Sequence, residues 1–308
     1  MIQANNIRKT YEKGSISALN EISFSVKQGE IFGFVGPDGA GKTTLFRLIT
    51  TMLLPDSGEM SIMGFDVYSK YREIRKRIGY MPGRFSLYPD LSVEENLSFF
   101  ASIFDTTITE NYHLIKDIYS QIEPFKNRKA GALSGGMKQK LALSCALIHK
   151  PELLILDEPT TGVDAVSRKE FWQMLRDLKT EGITILVSTP YMDEASLCDR
   201  IALIQKGSIL AIESPDNIVE TFKKKLFGVR SENIYLLMSD LKLYPNTDSV
   251  YPFGQYVHYT NKNSSFSKED LHKYLESKEH KSIEIKEINP NIEDCFMDLM
   301  TTIQTTDL

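Results

Sequence analysis

Cysteine is almost absent: Cys145, Cys198 and Cys295 are odd in number, far apart and without a CxxC pair. That spacing indicates neither a disulfide framework nor a zinc site, and buried, reduced thiols are expected. Long apolar runs are also missing, since no window approaches the ~20 residues needed to cross a bilayer. The start, Met1 to Tyr11, has no apolar leader core, so a soluble, non-secreted chain is expected. Basic excess is lacking as well: Lys and Arg number 36 against 41 Asp and Glu, a net charge of −5 with both signs mixed. A nucleic-acid binder needs a basic stripe to displace counterions from phosphates, so no nucleic-acid partner is expected. Internal repeats and low-complexity segments are absent too.

What is present suffices for one large core and an appendage, because 308 residues at 42% hydrophobic content slightly exceed the ~250–300 at which single cores stop growing. Residues 30–36 form a short apolar run ending in a glycine loop, followed by Thr44 to Ile49 at helical spacing. Further apolar runs at Leu153–Leu156 and Ile183–Val187 flank a helical pattern at Ser167 to Leu178. This alternation predicts an α/β fold with parallel strands. Residues 92–148 read as a helical insert, with helices at Glu94–Phe104 and Gly136–Ile148, and residues 201–211 as a hairpin turned at Lys206-Gly207. After residue 215 the pattern changes: a polar helix reaches Lys225, its Lys223–Lys225 run reading as a solvated end. Strands are then expected at 233–238, 255–260 and 282–288, and helices at 268–277 and 292–300. Two domains are expected, 1–215 and a small α+β domain at 216–308.

Three motifs carry chemistry. Gly36-Pro37-Asp38-Gly39-Ala40-Gly41-Lys42-Thr43 fits G-x-x-x-x-G-K-[ST], whose glycines let backbone N–H groups wrap phosphates at a helix N-terminus. In it Lys42 reaches the β and γ phosphates of ATP and the Thr43 hydroxyl binds Mg²⁺. Alone it could be a chance glycine turn, but a buried strand before it and a helix after it supply the required context. Asp157 and Glu158 end the second apolar strand, with Asp157 suited to hold Mg²⁺ through water and Glu158 to accept the proton of an attacking water. Leu133-Ser134-Gly135-Gly136 opens a helix with a serine cap and bare N–H groups at the positive end of its dipole.

The last motif, lying between the other two, resembles the LSGGQ signature of ABC ATPases, and the resemblance extends over about residues 1–215. It implies a P-loop NTPase core with a helical signature subdomain. It also implies that this chain's signature closes over ATP held by a second ATPase subunit. By the same resemblance Tyr11 stacks on adenine, residues 36–44 through Thr44 bind ATP, and Asp164 of Gly162-Val163-Asp164 reaches across the dimer interface. Leu87 to Leu97 is similar to the region that meets the membrane subunits in ABC-2-type exporters. The phosphate loop, residues 133–140 and the tail Ile292–Leu299 resemble the first ATPase half of YbhF-type exporter proteins. Those proteins carry two ATPase halves per chain. A place on the cytoplasmic face of the membrane follows.

Two positions depart from the family. Gly83 stands where a glutamine supplies an oxygen to metal and water, and Arg84 offers only donors. Pro190 replaces the histidine that contacts the γ-phosphate, and the five histidines lie elsewhere. Met137 in place of the signature's glutamine is milder. A degenerate own site with slow hydrolysis is therefore expected, in an asymmetric heterodimer. The alternative is a non-hydrolysing regulatory module; a soluble translation or repair protein lacks support, because neither doubled ATPase domains nor long coiled coils are present.

Overall fold

Ten strands build the first part of the chain: β1 (Ile2–Tyr11), β2 (Ile16–Val26), β3 (Ile31–Val35), β4 (Ser57–Ile62), β5 (Phe65–Asp66), β6 (Ile78–Met81), β7 (Leu153–Asp157), β8 (Thr184–Thr189), β9 (Arg200–Gln205) and β10 (Ser208–Glu213). The computed structural model describes residues 1–84, 86–263 and 266–306, and divides them into two units, Met1–Pro215 and Asp216–Leu308. The larger sheet of the first unit has the order β10-β9-β3-β8-β7-β6, parallel throughout except for β10. Every residue of β3, β7 and β8 is buried, as a sheet covered on both faces requires. The expected hairpin turns at Lys206-Gly207, both at positive φ.

The helices of this unit are α1 (Lys42–Ile49), α2 (Tyr71–Arg75), α3 (Val93–Ile103), α4 (Ile108–Tyr119), α5 (Gly135–Leu147), α6 (Ala165–Thr180) and α7 (Met192–Ala195). The insert is helical as expected, and its first two helices start on capping boxes, Ser92 with Glu95 and Thr107 with Glu110. A second sheet, β2-β1-β4-β5, is antiparallel and was not foreseen. Three register shifts along β1 and β2, with Asn6 at φ 51°, break the period-two alternation that marks a strand.

The second unit begins within α8 (Pro215–Thr221) and holds β11 (Leu226–Arg230), α9 (Ile234–Leu243), β12 (Thr247–Phe253), β13 (Tyr256–Asn261), α10 (Lys268–Ser277), β14 (Glu284–Ile288) and α11 (Ile292–Thr306). Its antiparallel sheet has the order β12-β13-β11-β14 and packs Phe227, Val229, Val257 and Tyr259 against Leu237, Leu241, Leu271 and Leu275. The strand expected at 233–238 is instead the start of α9. Asn233 caps it by accepting from the N–H groups of Tyr235 and Leu236, and Leu237 and Leu241, four apart, form its buried stripe. Lys224 is not simply solvated, since it pairs with Asp248 at 2.7 Å and Asp298 at 2.5 Å. All three cysteines are free and buried, and burial pushes the Cys295 thiol up to about 12. Among the described residues no helix is long and apolar enough to cross a membrane.

Asp294 anchors α11 to this sheet. Its carboxylate accepts from the Tyr251 hydroxyl, from the Asn291 N–H at 2.8 Å, and pairs with His258 at 2.6 Å, all with a fully buried side chain. Asp294→Ala leaves buried donors without an acceptor, so the urea midpoint of this unit falls by the equivalent of about 1–3 kcal/mol. An unshifted midpoint would contradict the anchor.

Candidate nucleotide site

The loop between β3 and α1 is shaped by close backbone approaches. A Cβ at Gly36 would lie 2.1 Å from the Ile204 carbonyl oxygen, and one at Gly41, at φ +107°, 2.6 Å from that of Ala18. No side chain fits at either place. The loop is tied from outside: the Gly207 N–H donates to the Ala40 carbonyl at 2.9 Å, and the Asn20 N–H to that of Gly207 at 2.7 Å. α1 then starts at Lys42 with first-turn N–H groups that have no intrahelical partner, an arrangement suited to an anion. Pro37, Asp38 and Gly39 are exposed, Ala40 is buried, and Thr43 and Thr44 are half-buried.

Lys42 is only 3% exposed. Its Nζ donates to the carbonyls of Gly36 at 2.7 Å and Pro37 at 3.0 Å, and lies 3.2 Å from Glu158 Oε1. Asp157 and Glu158 reach this point because β7 runs parallel beside β8 and ends there. Ser188 on β8 donates to Asp157 Oδ1 at 2.6 Å and accepts from the Glu158 N–H at 2.9 Å. Glu158 sits at φ 51°, a left-handed conformation unusual for a non-glycine residue and of the kind that clusters at functional sites. The Tyr11 hydroxyl lies 3.3 Å from that of Thr44.

The Ser134 segment opens α5 beside the acidic strand end, with Gly135 and Glu158 lining one cleft. Ser134 caps α5 by accepting from the Met137 N–H at 3.4 Å, and its segment is exposed apart from buried Leu133 and half-buried Gly136. A Cβ at Gly136 would meet Ser167 Oγ at 2.8 Å, so α5 starts tight against α6. Among the described residues no hydrogen bond or ion pair joins Ser134–Gly136 to Lys42 or Thr43. Exposed Asp164 caps α6 through Oδ1, accepting from Val166 N–H at 3.1 Å and Ser167 N–H at 3.0 Å, and these bonds hold its carboxyl below the usual range.

Gly83 stands against the acidic strand end: a Cβ there would lie 3.0 Å from the Asp157 carbonyl oxygen and 3.8 Å from Glu158 Cβ. It lines one cleft with Gly135, Lys138 and Glu158. Pro190 is half-buried directly after β8. Ser188 escaped the sequence reading, although a hydroxyl closing an otherwise apolar strand signals a buried polar group that needs a partner. A separate apolar groove of about 330 Å³, lined by Met52, Tyr80, Leu87, Phe100, Phe104 and His149, lies between the large sheet and the helical insert. Burial there, with the charge of Asp157 second, pushes the Tyr80 phenol up to about 12.

A parallel sheet that presents a glycine loop with Lys42 beside an Asp157–Glu158 strand end defines a P-loop nucleotide-binding cassette, and α5 opening on Ser134-Gly135-Gly136 narrows the class. The chain belongs to the ABC transporter family and carries its ATP-binding domain, and the family's profile, "ABC transporter", matches residues 19–161. It is 40% identical over 223 residues to the Nod factor export ATP-binding protein I of Burkholderia orbicola (strain AU 1054), covering 71% of this chain and 73% of that protein. It is 37% identical over 305 residues to the probable multidrug ABC transporter ATP-binding protein YbhF of Escherichia coli (strain K12), covering 97% of this chain and 52% of that protein. The chain thus spans about half the length of that relative. Among solved structures, the dimeric post-hydrolysis state of the ATP-binding cassette MJ0796 bound to ADP and Pi matches with a TM-score of 0.64 and 28% identity, over 70% of this chain and 98% of that one.

Proposed function

We propose that this chain is the ATP-binding motor subunit of an ABC-2-type exporter, working at the cytoplasmic face of the membrane as one half of an asymmetric ATPase heterodimer. The observation that carries the reading is the meeting of Lys42, Asp157 and Glu158 at one end of the sheet, beside Gly83 and Pro190, which offer no side-chain polar group. Lys42 moves from the loop carbonyls to the β and γ phosphates when ATP enters, which frees Glu158 to face water. The loop N–H groups bind the phosphates, and Tyr11 stacks on the adenine. Export is supported by two relatives, a Nod factor export ATP-binding protein and a probable multidrug ABC transporter ATP-binding protein.

The donors fit Mg²⁺. Thr43 and Asp157 contribute oxygens only, and among the described residues no group of three His, Cys, Asp or Glu side chains is gathered to hold a metal. The Thr43 hydroxyl, with Asp157 acting through water, would suit a small hard cation that keeps part of its hydration. Held by Thr43 and Asp157, Mg²⁺ would offset phosphate charge. Ser188 fixes the Asp157 carboxylate that holds it.

The signature Leu133 to Gly136, largely exposed at the start of α5, faces ATP bound to the partner subunit, and Asp164 keeps its second oxygen for that interface. The apolar groove lined by Leu87, Phe100 and Phe104 is the seat for a membrane subunit. The domain at 216–308 is accessory.

Weak turnover of the chain alone tests the degenerate site. Below the ~10 s⁻¹ of an ordinary enzyme, the rate should rise when Gly83→Gln and Pro190→His are combined. The glutamine must displace the Asp157 carbonyl by a few tenths of an ångström, so the gain is roughly tenfold rather than the full 10²–10³ of a positioned group. Fast wild-type turnover without a partner contradicts the asymmetry. A complex that binds ATP and never releases phosphate points to the non-hydrolysing regulatory module instead.

A further inference from the structure

Behind the site lies a fully buried carboxylate to which none of the motifs assigns a role. Glu194, on α7, is 1% exposed. Its Oε1 accepts from the Thr160 hydroxyl at 2.8 Å and lies 3.3 Å from Arg168 Nε, while Oε2 accepts from the Thr189 hydroxyl at 2.6 Å. Thr160 and Thr189 are themselves buried, at 1% and 0% exposure. Arg168 also pairs with Asp193 at 2.8 Å and lies over the Tyr191 ring at 4.6 Å. The Tyr191 N–H donates to Thr189 Oγ1 at 3.0 Å, so that hydroxyl spends its proton on Glu194.

These three partners come from three pieces of the machinery. Thr189 ends β8, next to Ser188, which holds Asp157 and the Glu158 N–H. Thr160 stands two residues after Glu158, where Thr161 N–H→Glu158 and Val163 N–H→Thr160 close two overlapping turns. Arg168 lies one turn into α6, the helix that Asp164 caps and against which Gly136 packs through Ser167. A single side chain therefore grips both ends of the Thr160–Arg168 segment and ties it to the strand that orders the acidic pair.

We infer that Glu194 is a positioning residue: it sets the Thr160–Arg168 segment, and with it Asp164 and the start of the signature helix, in the register this chain presents to the partner's nucleotide. This rests on the trans role proposed for that surface. A carboxylate is needed because all three neighbours donate; an amide would turn its NH₂ toward a donor and break at least one link.

The test uses the complete complex with both ATPase subunits and membrane subunits, comparing Glu194→Gln, Thr160→Val and the double variant. Each single change should lower kcat for phosphate release by about 10- to 100-fold, the range expected when a reacting geometry slips by an ångström. KM for ATP and nucleotide affinity of this chain's own loop should stay near wild type, and Tm should fall by only a few degrees, as the loss of one buried link dictates. The double variant should fall no further than Glu194→Gln, since both cut the same link. A kcat within twofold of wild type, or a loss that merely tracks a fall in Tm, overturns the assignment. If Glu194→Gln does not fold, Thr160→Val alone decides, because it removes one hydroxyl at constant shape. A wild-type complex without ATPase activity would instead defeat the functional reading on which this rests.

Discussion

Lys42→Ala should abolish ATP binding, weakening it at least about 100-fold, or ~3 kcal/mol, in calorimetry or with a fluorescent ATP analogue. The magnitude follows from what the ammonium does. It is a buried cation held by two loop carbonyls and by Glu158, ready to trade those acceptors for phosphate oxygens. Alanine removes the buried cation that pairs with Glu158 at 3.2 Å, so the incoming phosphates would meet that carboxylate without the Lys42 charge between them. The Gly36 and Pro37 carbonyls would also lose their donor and loosen the loop. Unchanged affinity in a folded variant would remove Lys42 from the nucleotide site.

The other large effect separates the two faces of the cassette. Ser134→Arg in the assembled complex should cut phosphate release by about 10² or more while ATP stays bound to this chain's own loop. The change deletes the hydroxyl that caps α5 and sets a guanidinium at the positive end of its dipole, where repulsion moves it off the partner's γ-phosphate. Glu158→Gln should leave most activity, because it disables only the site already weakened by Gly83 and Pro190. Steady-state phosphate release from both variants is the measurement. Silence from Glu158→Gln together with normal turnover in Ser134→Arg would reverse the asymmetry.

How far the sequence could be read differs by feature. The loop at 36–43 and the Asp157–Glu158 strand end are legible because each is a contiguous string whose chemistry demands those residue types. The parallel sheet is legible for a related reason, since β3, β7 and β8 are buried on both faces and read as unbroken apolar runs. The N-terminal antiparallel sheet is not, as its bulges scatter the alternation across Ile2–Val26. α9 is misleading because Ile-Tyr-Leu-Leu-Met is a short unbroken apolar run that fits a buried strand as well as a helix, while only its cap and the Leu237–Leu241 spacing betray a helix. Ser188 and Glu194 are invisible for a third reason. Their partners lie 5 to 34 residues away, and no local pattern records a hydrogen bond between strands or loops.

The ties that hold the glycine loop have a consequence for how the chain is made. Ala18, Gly41 and Gly207 crowd one another through backbone atoms alone, and Gly207 arrives 166 residues after the loop it clamps. Contacts of such long sequence separation form late, after the entropy of closing the intervening chain has been met. A nascent chain that has emerged only as far as β8 therefore already displays every letter of the phosphate motif, yet lacks the turn that moulds it. ATP cannot chaperone the early stages of folding of this domain; it can reward only a chain whose closing hairpin is already in place.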